Sequence, residues 1–115
     1  MLSDELRFKI LKVLEENSQL NQRQLADLLG ISLGKTNFCI QALIEKGMLK
    51  VNNFRTSRNK LAYSYLLTPG GFDEKTRLTV RFLKSKMEEY EILKREIDEL
   101  TKDTIQYGRL KKERN

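Results

Sequence analysis

The stretch that runs from Asn21 to Met48 constrains the fold of this chain most, because it carries the signals for two short helices joined by a tight turn. Asn21 and Gln24 have the spacing of a capping box, in which each side chain accepts a hydrogen bond from the other residue's backbone. Gly30 follows an apolar helix at the position where a left-handed backbone is needed, and glycine adopts that conformation without strain. Ser32 can then cap the next helix. The sequence therefore predicts a helix over Gln22 to Leu29, a sharp turn and a third helix that Gly47 ends.

A further helix precedes this pair. Ser3 can cap it, and the helix should run to about Glu16. Its main apolar stripe passes through Leu6 and Ile10, whereas Phe8 and Leu11 project from another side. Two faces of this helix must therefore be packed against other parts of the protein or a partner. We expect Phe8 to make a contact outside the first hydrophobic core.

The third predicted helix has two distinct faces on a helical wheel. Thr36 lies on one side with the apolar residues Cys39, Ile40, Leu43 and Ile44. The opposite side carries Gly34, Lys35, Phe38, Gln41 and Glu45, and Asn37 lies at the boundary. An outward face of this composition is unusual for plain exposure to water, but it suits a helix that lies in the major groove of DNA.

Each residue of this outward face has a chemical role in such a groove. Gly34 permits the backbone to approach a phosphate closely, and Lys35 can meet a phosphate or guanine. Asn37 and Gln41 carry amides that can hydrogen-bond the edge of adenine in a bidentate manner. Phe38 can contact a thymine methyl group, or it can pack against the wing or a partner. These assignments are hypotheses about base and phosphate contacts.

Two predicted strands, Met48 to Asn53 and Leu61 to Leu67, are separated by the segment FRTSRNK. They form a hairpin with a basic tip. The side chains of that tip donate hydrogen bonds suited to phosphate oxygens or to a minor groove; the candidates are Arg55, Ser57, Arg58, Asn59 and Lys60.

The positive charge is concentrated in the same region. The chain has a formal net charge of +6 and a pI near 9.5, which favours a polyanionic partner. Between Leu28 and Phe72 the only acidic residue is Glu45. Lys46 and Lys50 in this segment are equally compatible with a solvated surface and with a phosphate contact.

Composition argues against an enzyme. The chain contains no histidine and a single cysteine, Cys39, so the commonest general base and any cysteine-rich zinc site are missing. We expect no cofactor and no metal, and Cys39 falls on the buried face as a small core residue rather than a redox sensor. No apolar run has the length of a membrane span, and no signal peptide is evident, so a cytoplasmic location is expected.

A long helix follows the hairpin. Thr68 and Pro69 form a helix start signal, and the next stretch contains no glycine or proline between Gly71 and Gly108. Its apolar residues recur mostly at spacings of three and four, in a coiled-coil-like stripe with one irregular step near Tyr90. About 35 residues of helix extend roughly 50 Å, and this length exceeds the diameter of a small domain. We therefore expect a second copy to cover the stripe, and the candidate dimerisation residues are Phe8, Leu83, Met87, Tyr90, Leu93, Ile97 and Leu100.

The order of these elements resembles a winged helix-turn-helix of the MarR family. The narrower motifs LSDELRFKIL, ISLGKTNFC, KVNNFRTSRNKLAYSYLLTP and RLTVRFLKSKMEEYE resemble small MarR-type regulators associated with exopolysaccharide loci. The resemblance implies a homodimer that binds double-stranded DNA at a palindromic operator. It also implies that Ser32 to Gln41, including Leu33, read the groove, while Arg55 to Lys60 grip the adjacent backbone.

The chain departs from that family in two respects. Only two residues precede the first cap, where MarR proteins commonly have a longer helix that helps to form the dimer and often a ligand pocket, so a small-molecule effector remains unknown. Thr36 stands where such motifs favour an aliphatic residue. An alternative function for the same fold is a winged-helix module that binds another protein without specific DNA binding.

The expected architecture is mainly α (α+β), in three parts. Residues 1–67 form the winged helix-turn-helix domain, residues 68–107 form the long C-terminal dimerisation helix, and residues 108–115 form a basic, frayed tail.

Overall fold

The computed structural model describes the backbone of residues 2–55 and 61–114 and the side chains of residues 2–53 and 63–112. Helices dominate, and the two strands pair in an antiparallel sheet, which confirms the predicted mainly α class. The elements are, in chain order, α1 (Asp4–Glu16), α2 (Gln22–Leu29), α3 (Leu33–Glu45), β1 (Leu49–Arg55), β2 (Leu61–Leu67) and α4 (Pro69–Arg114).

Local capping explains where the first helices begin. The Ser3 hydroxyl accepts a hydrogen bond from the backbone N–H of Leu6 at 3.1 Å. At α2, the Asn21 side chain accepts from the N–H of Gln24 at 2.7 Å, and the Gln24 side chain accepts from the N–H of Asn21 at 3.0 Å. Gly30 ends α2 with φ of 68°. The predicted caps and the left-handed turn are therefore confirmed.

One hydrophobic core joins the three helices to the hairpin. Its buried members are Ile10, Leu11, Leu14, Leu25, Cys39, Ile40, Leu43, Leu49, Tyr65 and Leu67. Leu11, on the second apolar side of α1, is fully buried in the same cluster as Ile10 and Leu14. Helix α1 is surrounded widely enough for both directions to reach one core.

The leucine spacing in α2 predicts an apolar face of Leu25, Leu28 and Leu29, and for Leu28 this prediction is wrong. Leu25 and Ala26 are buried, but Leu28 is 65% exposed. At 100° per residue the buried face of α2 is centred near Leu25, Ala26 and Leu29, and Leu28 points roughly 100° away from that centre. An apolar residue therefore lies on the surface.

The hairpin is anchored to the helices through β2. The backbone N–H of Tyr65 donates to the carbonyl of Ser18 at 3.0 Å, and Tyr65 and Leu67 are buried. Pairing runs from Leu49 opposite Leu67 to Arg55 opposite Leu61. β1 thus begins one residue later and ends two residues later than predicted.

The start of α4 is linked to α1 and to the turn that precedes β1. The Thr68 hydroxyl accepts from the N–H of Gly71 at 3.0 Å and itself donates to the carbonyl of Gly47. Lys75 forms an ion pair with Glu15 of α1. A second link joins Arg7 and Glu74, at 3.6 Å.

The chain divides into two compact units, Met1–Thr79 and Val80–Asn115. The start of α4 therefore belongs to the first unit, where Leu78 is fully buried. Helix α4 continues through Gly108 to Arg114, so the predicted frayed tail was wrong. An interior glycine costs a helix only about 1 kcal/mol relative to alanine, and the arginine, lysine and leucine residues that follow are good helix formers. In the described part of the chain, no helix combines the length and apolarity required to cross a membrane.

Candidate nucleic-acid interface

Helix α3 presents the predicted face to the outside. Thr36, Cys39, Ile40 and Leu43 are at most 1% exposed, so the inward face is confirmed. The candidate groove-reading residues are all exposed; they are Ser32, Leu33, Gly34, Lys35, Asn37, Phe38 and Gln41. Phe38 is 56% exposed, so it does not pack fully against the rest of its own chain.

Two hydrogen bonds hold the start of α3. The Ser32 hydroxyl accepts from the N–H of Lys35 at 3.1 Å, and the Thr36 hydroxyl donates to the Ser32 carbonyl at 2.9 Å. Thr36 is therefore accommodated without an unpaired polar group: its hydroxyl is bonded to the backbone and its methyl group faces the core. Hydrogen bonds therefore hold the first turn of α3 on its exposed side and on its buried side.

Gly34 lies in this first turn without an evident internal reason. Apart from its chain neighbours and the adjacent backbone of its own helix, no described atom lies within 4 Å of the place where a Cβ atom would stand, and its φ is not positive. Glycine lowers helix stability relative to alanine. The open surface at Gly34 therefore suits close approach by something outside the chain.

Asn37 takes part in a hydrogen-bonded relay that crosses three elements. Its Nδ2 donates to Oε1 of Gln22 at 3.0 Å, and Nε2 of Gln22 donates to the hydroxyl of Tyr65 at 3.2 Å. The contact between Gln22 and Asn37 could not be predicted from the sequence, since no local pattern links positions fifteen residues apart. We refer to Asn37, Gln22 and Tyr65 as the amide relay.

Cys39 lies on the buried side of the same helix. Burial raises the pKa of its thiol above the ordinary value, and the charge of Lys35 opposes that rise. The thiol therefore stays protonated at neutral pH, in the form that is a poor nucleophile.

The positive charges beside α3 are unpaired within the described residues. Lys35, Lys46 and Lys50 are exposed, and none of them forms a salt bridge there. The side chain of Arg55 and the whole of Ser57, Arg58, Asn59 and Lys60 lie outside the described residues.

Comparisons with known proteins agree with this geometry. Residues 3–50 match the family model described as winged helix-turn-helix DNA-binding, and the β1–β2 hairpin completes that arrangement. The fold is a winged helix-turn-helix. No relative was found among curated protein sequences.

Solved structures with the same winged helix-turn-helix include several transcriptional regulators. A MarR/EmrR family regulator from Acinetobacter sp. ADP1 has a TM-score of 0.60 and 22% identity, with 74% of this chain and 58% of that chain covered. A transcriptional regulator homologue from Pyrococcus horikoshii OT3 has a TM-score of 0.58 and 21% identity, with 76% and 84% covered. This chain thus spans little more than half of the Acinetobacter protein. At this level of identity the likeness shows the fold alone, and it confirms the winged helix-turn-helix part of the MarR resemblance.

A third neighbour was solved with nucleic acid. It is a point mutant of S. aureus MepR bound to an oligodeoxyribonucleotide, with a TM-score of 0.59 and 15% identity, and 87% of this chain and 76% of that chain are covered.

In the winged helix-turn-helix of this chain, α3 is the second helix of the motif and the hairpin is the wing. The part of α4 in the second unit carries an exposed apolar stripe, which consists of Leu83, Met87, Tyr90, Leu93, Ile97 and Leu100, each at least 53% exposed. We refer to these six residues as the α4 stripe. Phe8, the other predicted dimerisation residue, is half-buried and already has a partner within the chain.

No group of side chains in the described ranges is suited to hold a metal ion. The exposed face of α3 offers amides, a lysine ammonium, an aromatic ring and an open backbone. These groups are suited to hydrogen bonding and charge pairing with a polar, negatively charged surface.

Proposed function

We propose that this chain is a sequence-specific transcriptional regulator that binds double-stranded DNA as a homodimer. In this proposal α3 enters the major groove, and the basic wing lies on the backbone or in the adjacent minor groove. The observation that carries the proposal is the exposed face of α3, where Gly34 leaves the backbone open and Asn37 and Gln41 present amides. Amides at such positions match the donor and acceptor pattern of adenine in the major groove.

Charge distribution supports DNA as the partner. The lysines beside α3 have no carboxylate partners in the described part of the chain, and the predicted wing contacts Arg55, Arg58 and Lys60 lie in the same acid-poor segment of the sequence. Charges that are not already paired can replace the counterions on phosphates at little cost. The oligonucleotide bound to the MepR mutant supports the same use of the fold.

The α4 stripe supports the homodimer. Six large apolar side chains on one helix, all more than half exposed, form the kind of surface that a second helix covers in a coiled coil. A twofold dimer would present two α3 helices to a palindromic operator. Phe8 is part of the proposed interface only through its exposed portion.

Repression is the expected regulatory outcome, because a small DNA reader blocks transcription by occupying its site. The link to an exopolysaccharide locus rests on the sequence motifs alone. The proposed role implies no cofactor, no catalysis and no membrane partner, and it keeps the cytoplasmic location expected from the sequence.

Selection of bound duplexes from a random pool tests this proposal. We expect the full chain to enrich a palindrome, and the spacing of its half-sites reports the separation of the two α3 helices. Binding to the selected duplex should weaken steeply with salt, with a log-log slope of about −9 if the dimer makes about ten phosphate contacts.

One observation favours a second candidate function. Leu28, Leu33 and Phe38 are 65%, 44% and 56% exposed on α2 and α3, and apolar side chains of this kind can form part of a protein-binding surface. A winged-helix module that binds another protein would enrich no palindrome, and its weak DNA binding would lack sequence preference. The selection experiment therefore separates the two functions.

A further inference from the structure

The amide relay joins a surface side chain to the core. Asn37 is exposed, Gln22 is half-buried and Tyr65 is 7% exposed. Tyr65 is in turn fixed by the hydrogen bond from its backbone N–H to Ser18 at 3.0 Å. The exposed amide of Asn37 is therefore connected, through one intermediate residue, to a tyrosine that cannot move without disturbing β2.

The relay leaves Asn37 able to read a base. A side-chain amide has two N–H donors and a carbonyl acceptor. The hydrogen bond to Gln22 uses one donor, and a bidentate contact with adenine needs only the other donor and the carbonyl. The internal bond and the proposed base contact are therefore chemically compatible.

The relay also reduces the conformational entropy that the Asn37 side chain must lose on binding. A free surface side chain gives up rotamer freedom when it contacts a base, and this loss of entropy opposes binding. A side chain that is already hydrogen-bonded has given up part of that freedom in the folded protein. A second layer of hydrogen bonds commonly positions the groups that make the direct contact.

We infer that Gln22 and Tyr65 are positioning residues that orient the Asn37 amide for recognition of one adenine in the operator. This inference rests on the proposed function, in which α3 lies in the major groove. Gln22 and Tyr65 touch no base themselves, and they act on sequence preference through Asn37.

Three variants separate positioning from general structural support. Tyr65→Phe removes the hydroxyl and keeps the buried ring. Gln22→Leu removes both hydrogen bonds at a half-buried site. Gln22→Glu is the rescue variant, because its carboxylate still accepts from Asn37 Nδ2 and from the Tyr65 hydroxyl. Tyr63→Phe is the matched control, since Tyr63 lies on the same strand and is not hydrogen-bonded to Gln22 or Asn37 among the described contacts.

The experiment measures competition between the selected operator and duplexes that differ from it by one base pair. Asn37→Ala first identifies the base pair at which preference depends on Asn37. We expect Tyr65→Phe and Gln22→Leu to reduce the preference at that pair by roughly three- to tenfold, with other positions unchanged. Gln22→Glu should retain the preference although its negative charge weakens binding to all duplexes, and Tyr63→Phe should retain it as well. Thermal denaturation shows that each variant is folded at the assay temperature.

Two results overturn the inference, and they differ from failure of the proposed function. If Asn37→Ala abolishes a preference that Tyr65→Phe and Gln22→Leu leave intact, the relay has no positioning role. If Asn37→Ala changes no preference although the wild type binds a selected palindrome, the relay has nothing to position and the DNA-binding proposal still stands. If the wild type selects no sequence, the proposed function itself fails.

Discussion

A Cβ atom at Gly71 would overlap the backbone carbonyl oxygen of Met48 and lie 3.1 Å from its carbonyl carbon. The third residue of α4 thus passes directly against the residue that precedes β1. We expect Gly71→Ala to lower the free energy of unfolding by about 1–3 kcal/mol, the usual range for overpacking, because the obstacle is backbone rather than a flexible side chain. Urea denaturation of the full chain measures this change. Gly108→Ala is the control, since the space there is open, and equal stability of the Gly71 variant and the wild type would contradict the close contact.

Gly34→Ala is expected to act in opposite directions on stability and on DNA binding. Alanine fits the open space and should stabilise α3 by about 0.5–1 kcal/mol. If the backbone at Gly34 approaches a phosphate closely, the added methyl group weakens operator binding at the same time. Thermal denaturation and operator titration measure the two effects. A variant that is more stable and binds the operator as tightly as the wild type would show that the approach at Gly34 is not close.

The base-reading face and the wing should respond differently to mutation. Asn37→Ala or Gln41→Ala should cost about 1–3 kcal/mol on the operator and blur its specificity. Arg55→Ala combined with Arg58→Ala should weaken binding to all sequences alike and make the salt slope less steep, because phosphate contacts carry little sequence information. Titration of specific and random duplexes at several salt concentrations measures both. A wing variant that changes only sequence preference would reverse the assigned roles.

The α4 stripe contains its own matched control. Ile97 lies in the stripe and Ile92 lies outside it, roughly 140° away on the helix at 100° per residue, and the two are 53% and 51% exposed. We expect Ile97→Glu to weaken dimerisation by more than about tenfold, because two carboxylates would be buried at an apolar seam. Ile92→Glu should have little effect. Sedimentation equilibrium measures both variants, and equal dimerisation of the two would place the interface elsewhere.

Truncation after Thr79 tests the same seam without a new charge. The first compact unit ends at that residue, so its core should persist. We expect a monomer with much weaker operator affinity, and a truncated chain that still dimerises would move the interface to α1 near Phe8.

Cys39 should make stability depend on alkaline pH. Burial raises the pKa of its thiol in the folded chain, whereas the unfolded thiol ionises near its usual pKa of about 8.5. The stability that the protonated thiol contributes to the fold is therefore fully present below the pKa of the unfolded thiol. It is lost as pH rises through the raised pKa of the folded thiol. Urea denaturation between about pH 7 and pH 10 should show a steeper loss for the wild type than for Cys39→Ala, which lacks the titrating group. Parallel losses in the two proteins would show that the buried thiol does not contribute.

The helix boundaries near the motif were predictable because their causes are local. The caps at Ser3, Asn21 and Ser32 join residues three positions apart, and the Gly30 turn requires only one residue with positive φ. The two faces of α3 follow from the helical period. Such features depend on neighbours along the chain, so the amino-acid order by itself determined them.

Tertiary packing decided what no local pattern contains. The exposure of Leu28 depends on where the other helices lie, the need for Gly71 depends on the path of Met48, and the amide relay joins Gln22 to a residue 43 positions away. Each is a contact or an absence of contact between distant segments, and periodicity carries no information about distances of that kind. The sequence by itself determined which residues α3 turns outward, and the tertiary structure alone decided what holds Asn37 in place on that face.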